Sequence, residues 1–177
     1  GALPGRRLVW FGNHGSPNVE GGMSDLVSLR QALHDHHRTA ALSLTVISNS
    51  RERFEALTRD WSLPCLYLAW SSATFDDALA LHDIALIPVR ANPFTRCKTA
   101  NRVATALVHG LGVAADTIPA YEEFRDCIVL DDWGAGLARL MERPGERSAA
   151  VARARARLDE RYAPAAIAAR WLTLLQR

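Results

Sequence analysis

Six short apolar runs alternate with longer segments of helical periodicity along this chain, and the alternation limits its possible folds more than any other feature. The apolar runs cover residues 8–11, 42–48, 65–70, 84–88, 113–115 and 128–130. Because strands that alternate with helices pair in parallel through right-handed crossovers, we expect one parallel sheet. The prediction is an α/β, Rossmann-like, doubly wound sheet of about six strands with helices on both faces.

The helices between and after these strands are predicted over residues 23–37, 51–60, 133–142, 147–161 and 164–175. Polar residues near their starts are candidate N-caps, namely Asn18 or Ser24, Ser71 or Ser72, and Asp131. The last helix carries Ile167 and Trp171 on its apolar face, and we expect that face to pack toward the sheet or across to another domain.

The composition is that of one soluble domain. The chain has 177 residues, of which 49% are hydrophobic and 23% are charged, so residues 1–177 are predicted to form a single unit. The net charge of +2 argues against nucleic acid as the partner. Three dispersed cysteines favour a reducing compartment, and no apolar run is long enough to span a bilayer. We therefore expect a cytoplasmic protein.

Arginines concentrate in the segment 147–161, where they alternate with alanines. Two interpretations stay open for this segment, a solvated helix face or a peripheral contact with anionic lipid at the inner face of the membrane. Histidines cluster near residue 36 without a cysteine or carboxylate partner in the pattern, so no metal site is predicted.

The most informative stretch for function follows the fourth strand. Lys98, Asn101 and Arg102 open a predicted helix, and Gly110 ends it in the manner of a C-cap. Lys98 and Arg102 are four residues apart and are expected to share its first turns. Free backbone N–H groups and two cations at that end would bind an anion such as a phosphate. A solvated helix start explains the same residues.

The first loop, after the strand at 8–11, is rich in glycine and contains Gly12, Asn13 and His14. It lacks both the dinucleotide fingerprint and the P-loop spacing. Gly12 allows close backbone approach to a ligand, and His14 is either a donor to a phosphate, an acid–base group or a bystander.

Two further loops carry candidate ligand-binding side chains. Trp70 ends the third strand, where it either stacks on a base or packs in the core. Tyr121 and Glu122 follow Pro119 after the fifth strand, and Glu122 either binds ribose or sugar hydroxyls or belongs to a solvated helix start.

These stretches together resemble the C-terminal, donor-binding domain of a GT-B glycosyltransferase of the kind that builds bacterial cell-surface polysaccharides. The resemblance is carried by residues 8–12 (LVWFG), 83–88 (DIALIP), 101–115 (NRVATALVHGLGVAA) and 118–124 (IPAYEEF). It implies that Arg102 stands where such enzymes have a diphosphate-binding lysine. It also implies that the nucleoside lies near Trp70, Val89 and Arg90.

The resemblance further implies the partners. The chain would bind a nucleoside-diphosphate sugar, without a metal or other cofactor, and a separate N-terminal domain outside this sequence would bind a glycan or lipid-linked acceptor. The isolated domain would then be inactive. Two departures stand out: Thr105 replaces the family's glutamate, and Asn13 and His14 replace a basic residue, with Lys98 as a substitute charge. They keep open a second interpretation, in which the domain is an inactive scaffold or partner-binding module.

Overall fold

The computed structural model describes residues 5–15 and 21–176, and its centre is a six-stranded parallel sheet. The strands are β1 (Arg6–Phe11), β2 (Leu42–Ser48), β3 (Cys65–Ala69), β4 (Ile84–Ile87), β5 (Gly112–Ala115) and β6 (Val129–Leu130). Every neighbouring pair in the sheet is parallel. The predicted fold class is confirmed, and each predicted strand is present within two residues at either end.

The strand order is β3-β2-β1-β4-β5-β6, so the chain reverses its direction of winding between β1 and β4. Ligands of doubly wound sheets bind at such a switch point, outside the carboxyl ends of the strands. The loops that follow β1 and β4 therefore define the place at which a site should be sought.

Helices cover both faces of the sheet. They are α1 (Arg30–Thr39), α2 (Arg51–Thr58), α3 (Phe75–Ala80), α4 (Pro93–Arg96), α5 (Asn101–Val108), α6 (Ala135–Glu142), α7 (Pro144–Tyr162) and α8 (Pro164–Leu175), with 3₁₀ segments at Gly22–Leu29 and Pro119–Phe124. Alternation along β1 divides the core, because Val9 and Phe11 pack under α3, α5 and α7 while Leu8 and Trp10 pack under α1, α2 and α6.

The predicted N-caps are wrong wherever the structure describes them. The Ser24 hydroxyl donates to the Gly21 carbonyl inside the 3₁₀ segment, and neither Ser71 nor Ser72 caps α3, which begins after Thr74. Asp131 has a φ of 56° and accepts hydrogen bonds from Thr117, so α6 begins later, after Gly134. Asn18 lies outside the described residues. The Asp131 side chain thus links its own loop to the loop that contains Thr117, and it does not cap α6.

The apolar face of α8 is not packed against the sheet. Trp171 is 61% exposed and Leu175 is 78% exposed, and none of the helix's described residues is buried. The expectation that this face packs toward the sheet is therefore wrong. Within residues 5–15 and 21–176, no helix is both long and apolar enough to cross a membrane.

Candidate functional site

Arg102 and Gly12 meet at the switch point between β1 and β4. Arg102 lies in the first turn of α5, and its Nη1 atom is 3.6 Å from the position that a Cβ atom on Gly12 would occupy. The ring of Trp10 is 3.2 Å from that same position. A larger residue at position 12 would therefore displace one of these side chains, and the glycine leaves room for the guanidinium beside the first loop.

The start of α5 differs from the prediction in one respect. The helix begins at Asn101, and its N-cap residue, Ala100, has no side chain that could accept a hydrogen bond from the first turn. Lys98 consequently precedes the helix and does not share its first turns with Arg102. No side chain of the N-cap residue occupies the N–H groups of the first turn, and their binding of an anion stays a prediction.

Lys98 owes its position to α4, a helix that the sequence analysis treated as loop. Asn92 and Thr95 form a capping box that starts α4, and the backbone N–H of Lys98 donates to the Thr95 carbonyl at its end. The ammonium Nζ lies 5.4 Å from the centre of the Phe94 ring. Burial, and next to it the charge of Arg102, lowers the pKa of Lys98. The Asn-Pro start with a threonine three residues after the asparagine was the available signal for α4.

The buried side chain of Tyr121 lies beside Arg102. The Tyr121 side chain is 1% exposed, and its hydroxyl lies close enough to the Arg102 side chain for the guanidinium to act on its pKa. Burial raises the pKa of Tyr121, and the nearby guanidinium opposes that shift. Tyr121 is therefore placed to orient Arg102, because the ring is almost fully enclosed in the core.

Asp25 joins this group, and the sequence analysis missed it. It lies in the 3₁₀ segment Gly22–Leu29 and is 3% exposed. Burial raises its pKa, while Arg90, Lys98 and Arg102 act in the opposite direction. The available signal was a carboxylate four residues before Leu29, on the apolar face of a helical pattern. We call Gly12, Asp25, Lys98, Arg102 and Tyr121 the switch-point cluster.

The first loop is tied to the end of β2. The backbone N–H of His14 donates to the Asn49 side-chain oxygen at 3.1 Å, and His14 Nδ1 lies 2.7 Å from the same oxygen. Asn13 is exposed and accepts a hydrogen bond from Gly15. The Ser48 hydroxyl donates to the Gly12 carbonyl. These bonds hold Asn13 and His14 beside the switch-point cluster.

Trp70 borders a cavity of about 270 Å³ above β1, β2 and β3. The other lining residues are Phe11, Gly12, Asn13, Asn49 and Phe75. Trp70 is 57% exposed, which favours the stacking interpretation over core packing. Val89 and Arg90 do not line this cavity as the resemblance implied, because β1 and β2 separate β3 from β4 in the sheet.

A second cavity, of about 480 Å³, lies on the other side of α5. Lys98 and Asn101 line it together with residues of α7, including Leu158 and Tyr162. Glu122 does not line this cavity, and Arg125 binds its carboxylate through two hydrogen bonds of 2.6 Å. In the structure as it stands, the Glu122 carboxylate is occupied by a neighbouring side chain.

Thr105 lies one turn beyond Arg102 in α5 and is half-buried. Its carbonyl accepts hydrogen bonds from the backbone and the ring of His109. Its side chain lines neither of the two cavities just described. The structure thus brings Gly12 and Arg102 together, places Lys98 near enough to Arg102 for their charges to interact, and leaves Thr105 to one side.

The described residues contain no group of three or more histidine, cysteine, aspartate or glutamate side chains placed to bind a metal ion. No protein-family model matches the chain, and no curated protein matches it in sequence.

Solved structures with the same fold are glycosyltransferases. WaaG, a glycosyltransferase of lipopolysaccharide biosynthesis, is 16% identical with a TM-score of 0.63, over 87% of this chain and 43% of its own. A complex of S. aureus TarM with UDP is 11% identical with a TM-score of 0.73, over 100% of this chain and 38% of its own. Anabaena HepE in complex with UDP and glucose is 13% identical with a TM-score of 0.68, over 96% of this chain and 48% of its own.

The chain has the fold of one domain of a GT-B glycosyltransferase, which confirms the resemblance at the level of the fold. The identities are all at or below 16%, so the likeness concerns the fold. The chain spans less than half the length of each of these three structures.

Proposed function

We propose that this chain is the donor-binding domain of a glycosyltransferase and that its switch-point cluster binds the diphosphate of a nucleoside-diphosphate sugar. The observation that carries the proposal is the approach of Arg102 to Gly12 at the amino end of α5. Cations and unpaired N–H groups at that position suit a diphosphate. UDP in the TarM and HepE structures supports the choice of ligand class.

The cluster also suits the chemistry of transfer. When the bond between the anomeric carbon and the donor's β-phosphate oxygen breaks, negative charge collects on the departing diphosphate. Lys98, Arg102 and the N-terminus of α5 would stabilise that charge, and positioned groups of this kind stabilise a transition state more than its ground state. The proposed stabilisation of the departing diphosphate does not require a bound metal ion.

The nucleoside would extend from the diphosphate toward the cavity beside Trp70. The cavity borders Gly12 and Asn13, so a ligand could continue from the cluster without a break. The exposed indole offers a stacking surface, and Asn13 and Asn49 offer edge contacts. Stacking does not choose between pyrimidine and purine, so the identity of the base depends on the edge contacts.

The acceptor is proposed to be a glycan or a lipid-linked glycan held by a second domain outside this chain. This domain alone would bind the donor weakly and transfer nothing. The proposed location is the cytoplasm, with peripheral contact at the inner face of a membrane. Arg155 of α7 is exposed for such a contact, whereas Arg157 and Arg161 are held in ion pairs.

Nucleotide titration tests the proposal directly. UDP-, GDP-, dTDP- and CMP-linked sugars would be titrated into the chain by calorimetry, together with Arg102→Ala and the control Arg155→Ala. Arg155 is exposed on α7 and lines neither cavity. We expect one nucleotide to bind the wild type and the control but not Arg102→Ala. Absence of binding by every nucleotide, with the second domain restored as well, would overturn the proposal.

Thr105 favours one alternative function. Because a threonine stands where the family has a glutamate, the domain could bind a partner without catalysing transfer. That alternative predicts no nucleotide affinity in the same titration, so a single experiment separates the two.

A further inference from the structure

Asp25 is a buried carboxylate whose presence the proposed function does not explain. Its side chain is 3% exposed, and among the residues that the structure describes no group makes a hydrogen bond of normal geometry to either carboxyl oxygen, although the backbone N–H of Arg90 lies close enough to favour the ionised form. Asp25 Oδ2 also lies beside Gly21, where a Cβ atom would be 3.5 Å away. Buried carboxylates in folded proteins are normally hydrogen-bonded or paired, so this one calls for a physical reason.

The charges that act on Asp25 come from three neighbouring segments. They are Arg90 in the loop after β4, Lys98 between α4 and α5, and Arg102 in α5. Lys98 and Arg102 reach Asp25 through space, without a bond to either oxygen. The charge of Asp25 therefore lowers the electrostatic potential at Lys98 and Arg102, but it does not fix the positions of their side chains.

We propose that Asp25 is a positioning residue that sets how strongly Lys98 and Arg102 bind an anion. The identification of that anion as a nucleoside diphosphate rests on the proposed function. While ionised, Asp25 offsets part of the positive potential of the two cations and limits their affinity for a diphosphate. When Asp25 takes up a proton, the offset disappears and the affinity rises.

The coupling works in both directions. A bound diphosphate brings further negative charge near Asp25, which disfavours the ionised carboxylate and raises its pKa above the value in the free protein. Binding is therefore accompanied by proton uptake at a pH between the two values, and affinity falls as pH rises through that interval. Burial of Asp25 already raises its pKa in the free protein, which brings the interval closer to neutral pH.

Inorganic sulfate is the first probe, because its charge does not change over the pH range of the test. Calorimetric titrations from about pH 5 to about pH 8, in buffers of different ionisation enthalpy, measure both affinity and proton uptake. We expect wild-type affinity to fall with rising pH and binding to take up protons. Asp25→Asn should bind about tenfold more tightly near neutral pH and take up no proton at that site.

Asp35→Asn is the matched control. Asp35 is an exposed carboxylate on α1 and contacts Gln31 and Arg38, away from the cluster. This variant should behave as the wild type does. Wild-type affinity and proton uptake in Asp25→Asn would overturn the inference. Weaker binding by a folded Asp25→Asn would also overturn it, because Asp25 would then hold the cations in place.

If Asp25→Asn does not fold, the inference is tested by sulfate binding to the wild-type protein. Wild-type sulfate affinity that is independent of pH, without proton uptake, would overturn the inference. A pH-dependent affinity with proton uptake that persists in Lys98→Ala would support it, because Arg102 remains near Asp25. Loss of the pH dependence in Lys98→Ala would overturn it, because Lys98 would then be the titrating group. A second series with nucleotide sugars separates this inference from the proposed function. If sulfate follows the expected pattern and no nucleotide sugar binds, the proposed function fails while the effect of Asp25 stands.

Discussion

Carboxylates and arginines lie close together in two regions of this molecule. The carboxylate is buried in one region, whereas in the other it is exposed and bound by an arginine. In the switch-point cluster, Asp25 is buried, and among the described residues no side chain donates a hydrogen bond to it. Between the second 3₁₀ segment and α7, Asp126 is exposed, and the guanidinium of Arg157 donates to both of its oxygens at 2.7 and 3.0 Å. We call Glu123, Asp126, Arg157, Arg161 and Tyr162 the surface network.

The pKa directions follow this difference. The Arg157 guanidinium lowers the pKa of Asp126 to about 2, whereas burial raises the pKa of Asp25. Glu123 in the surface network is likewise bound by Arg161 and Tyr162. Paired charges at the surface contribute to the fold, whereas cations that lack bonded carboxylates in a crevice are available to a ligand. This difference supports the proposal that the switch-point cluster binds a ligand and that the surface network supports the fold.

The largest expected effect is on catalysis. In the protein with its acceptor-binding domain, Arg102→Ala should lower turnover by about 10²–10³, because a positioned charge at the departing diphosphate is lost. Steady-state kinetics measure the effect, and a thermal melt checks that the fold survives loss of the Tyr121 contact. Arg157→Ala is the control from the surface network and should retain turnover. Equal losses of turnover in both variants would show that the two regions do not differ in their contribution to catalysis.

Trp70→Ala should weaken nucleotide binding by about 1–3 kcal/mol, taking base–aromatic stacking in single-strand binders as the guide. Trp171→Ala removes an indole of similar exposure from α8 and should leave the affinity of this chain unchanged. Titration of both variants beside thermal melts provides the measurement. Normal affinity with a large drop in melting temperature for Trp70→Ala would show that the indole serves the fold.

The two aspartates should affect stability with opposite signs. Asp25 has a raised folded-state pKa, so its ionisation destabilises the folded protein increasingly as pH rises above the unfolded-state value. Asp25→Asn should therefore stabilise the protein near neutral pH, by about 1 kcal/mol or more, since a buried charge to which no described side chain donates a hydrogen bond is removed. Urea unfolding at neutral pH tests this expectation. A destabilised Asp25→Asn would show that the carboxylate contributes to the fold.

Asp126→Asn should have the smallest effect, a loss of about 0.2–1 kcal/mol near neutral pH, because the ion pair is exposed. The folded-state pKa of Asp126 is lowered to about 2, so its contribution is present above the unfolded-state value of 3.8 and disappears as pH falls toward 2. Urea unfolding at neutral and acidic pH should show the variant and the wild type converging in acid. A constant difference would rule out the ion pair as the cause.

Much of the fold could be predicted from the chain because its signals are local. Apolar runs such as 84–87 are short enough for strands, and each is followed by a segment of helical periodicity. Gly110 ends the region of α5 with a φ of 83°, as its position after the last apolar residue predicted. The N-caps failed because Asp131 and Ser24 had partners elsewhere in the fold that no local pattern displays.

The candidate site was predicted in part for the same reason. Lys98 and Arg102 stand out along the chain as cations near the start of a helix, but Lys98 lies before α5 and its position depends on α4, which was not predicted. Trp70 was correctly placed at the end of a strand, but its neighbours depended on strand order, which brings it beside β1 and β2 instead of β4. Asp25 was missed because a single carboxylate in an apolar pattern is usually a surface residue.

Local patterns in the sequence predicted the class of the sheet, the edge at which we propose that a ligand binds and two cations proposed to bind it. Each of these follows from periodicity or from residues within one turn of one another. Only the tertiary structure decided that β4 pairs with β1, that Arg102 reaches Gly12 and that Asp25 is enclosed near two cations. These contacts could not be predicted because residues such as 25 and 98 are far apart along the chain. The packing of distant segments depends on the whole core and leaves no pattern in either segment alone.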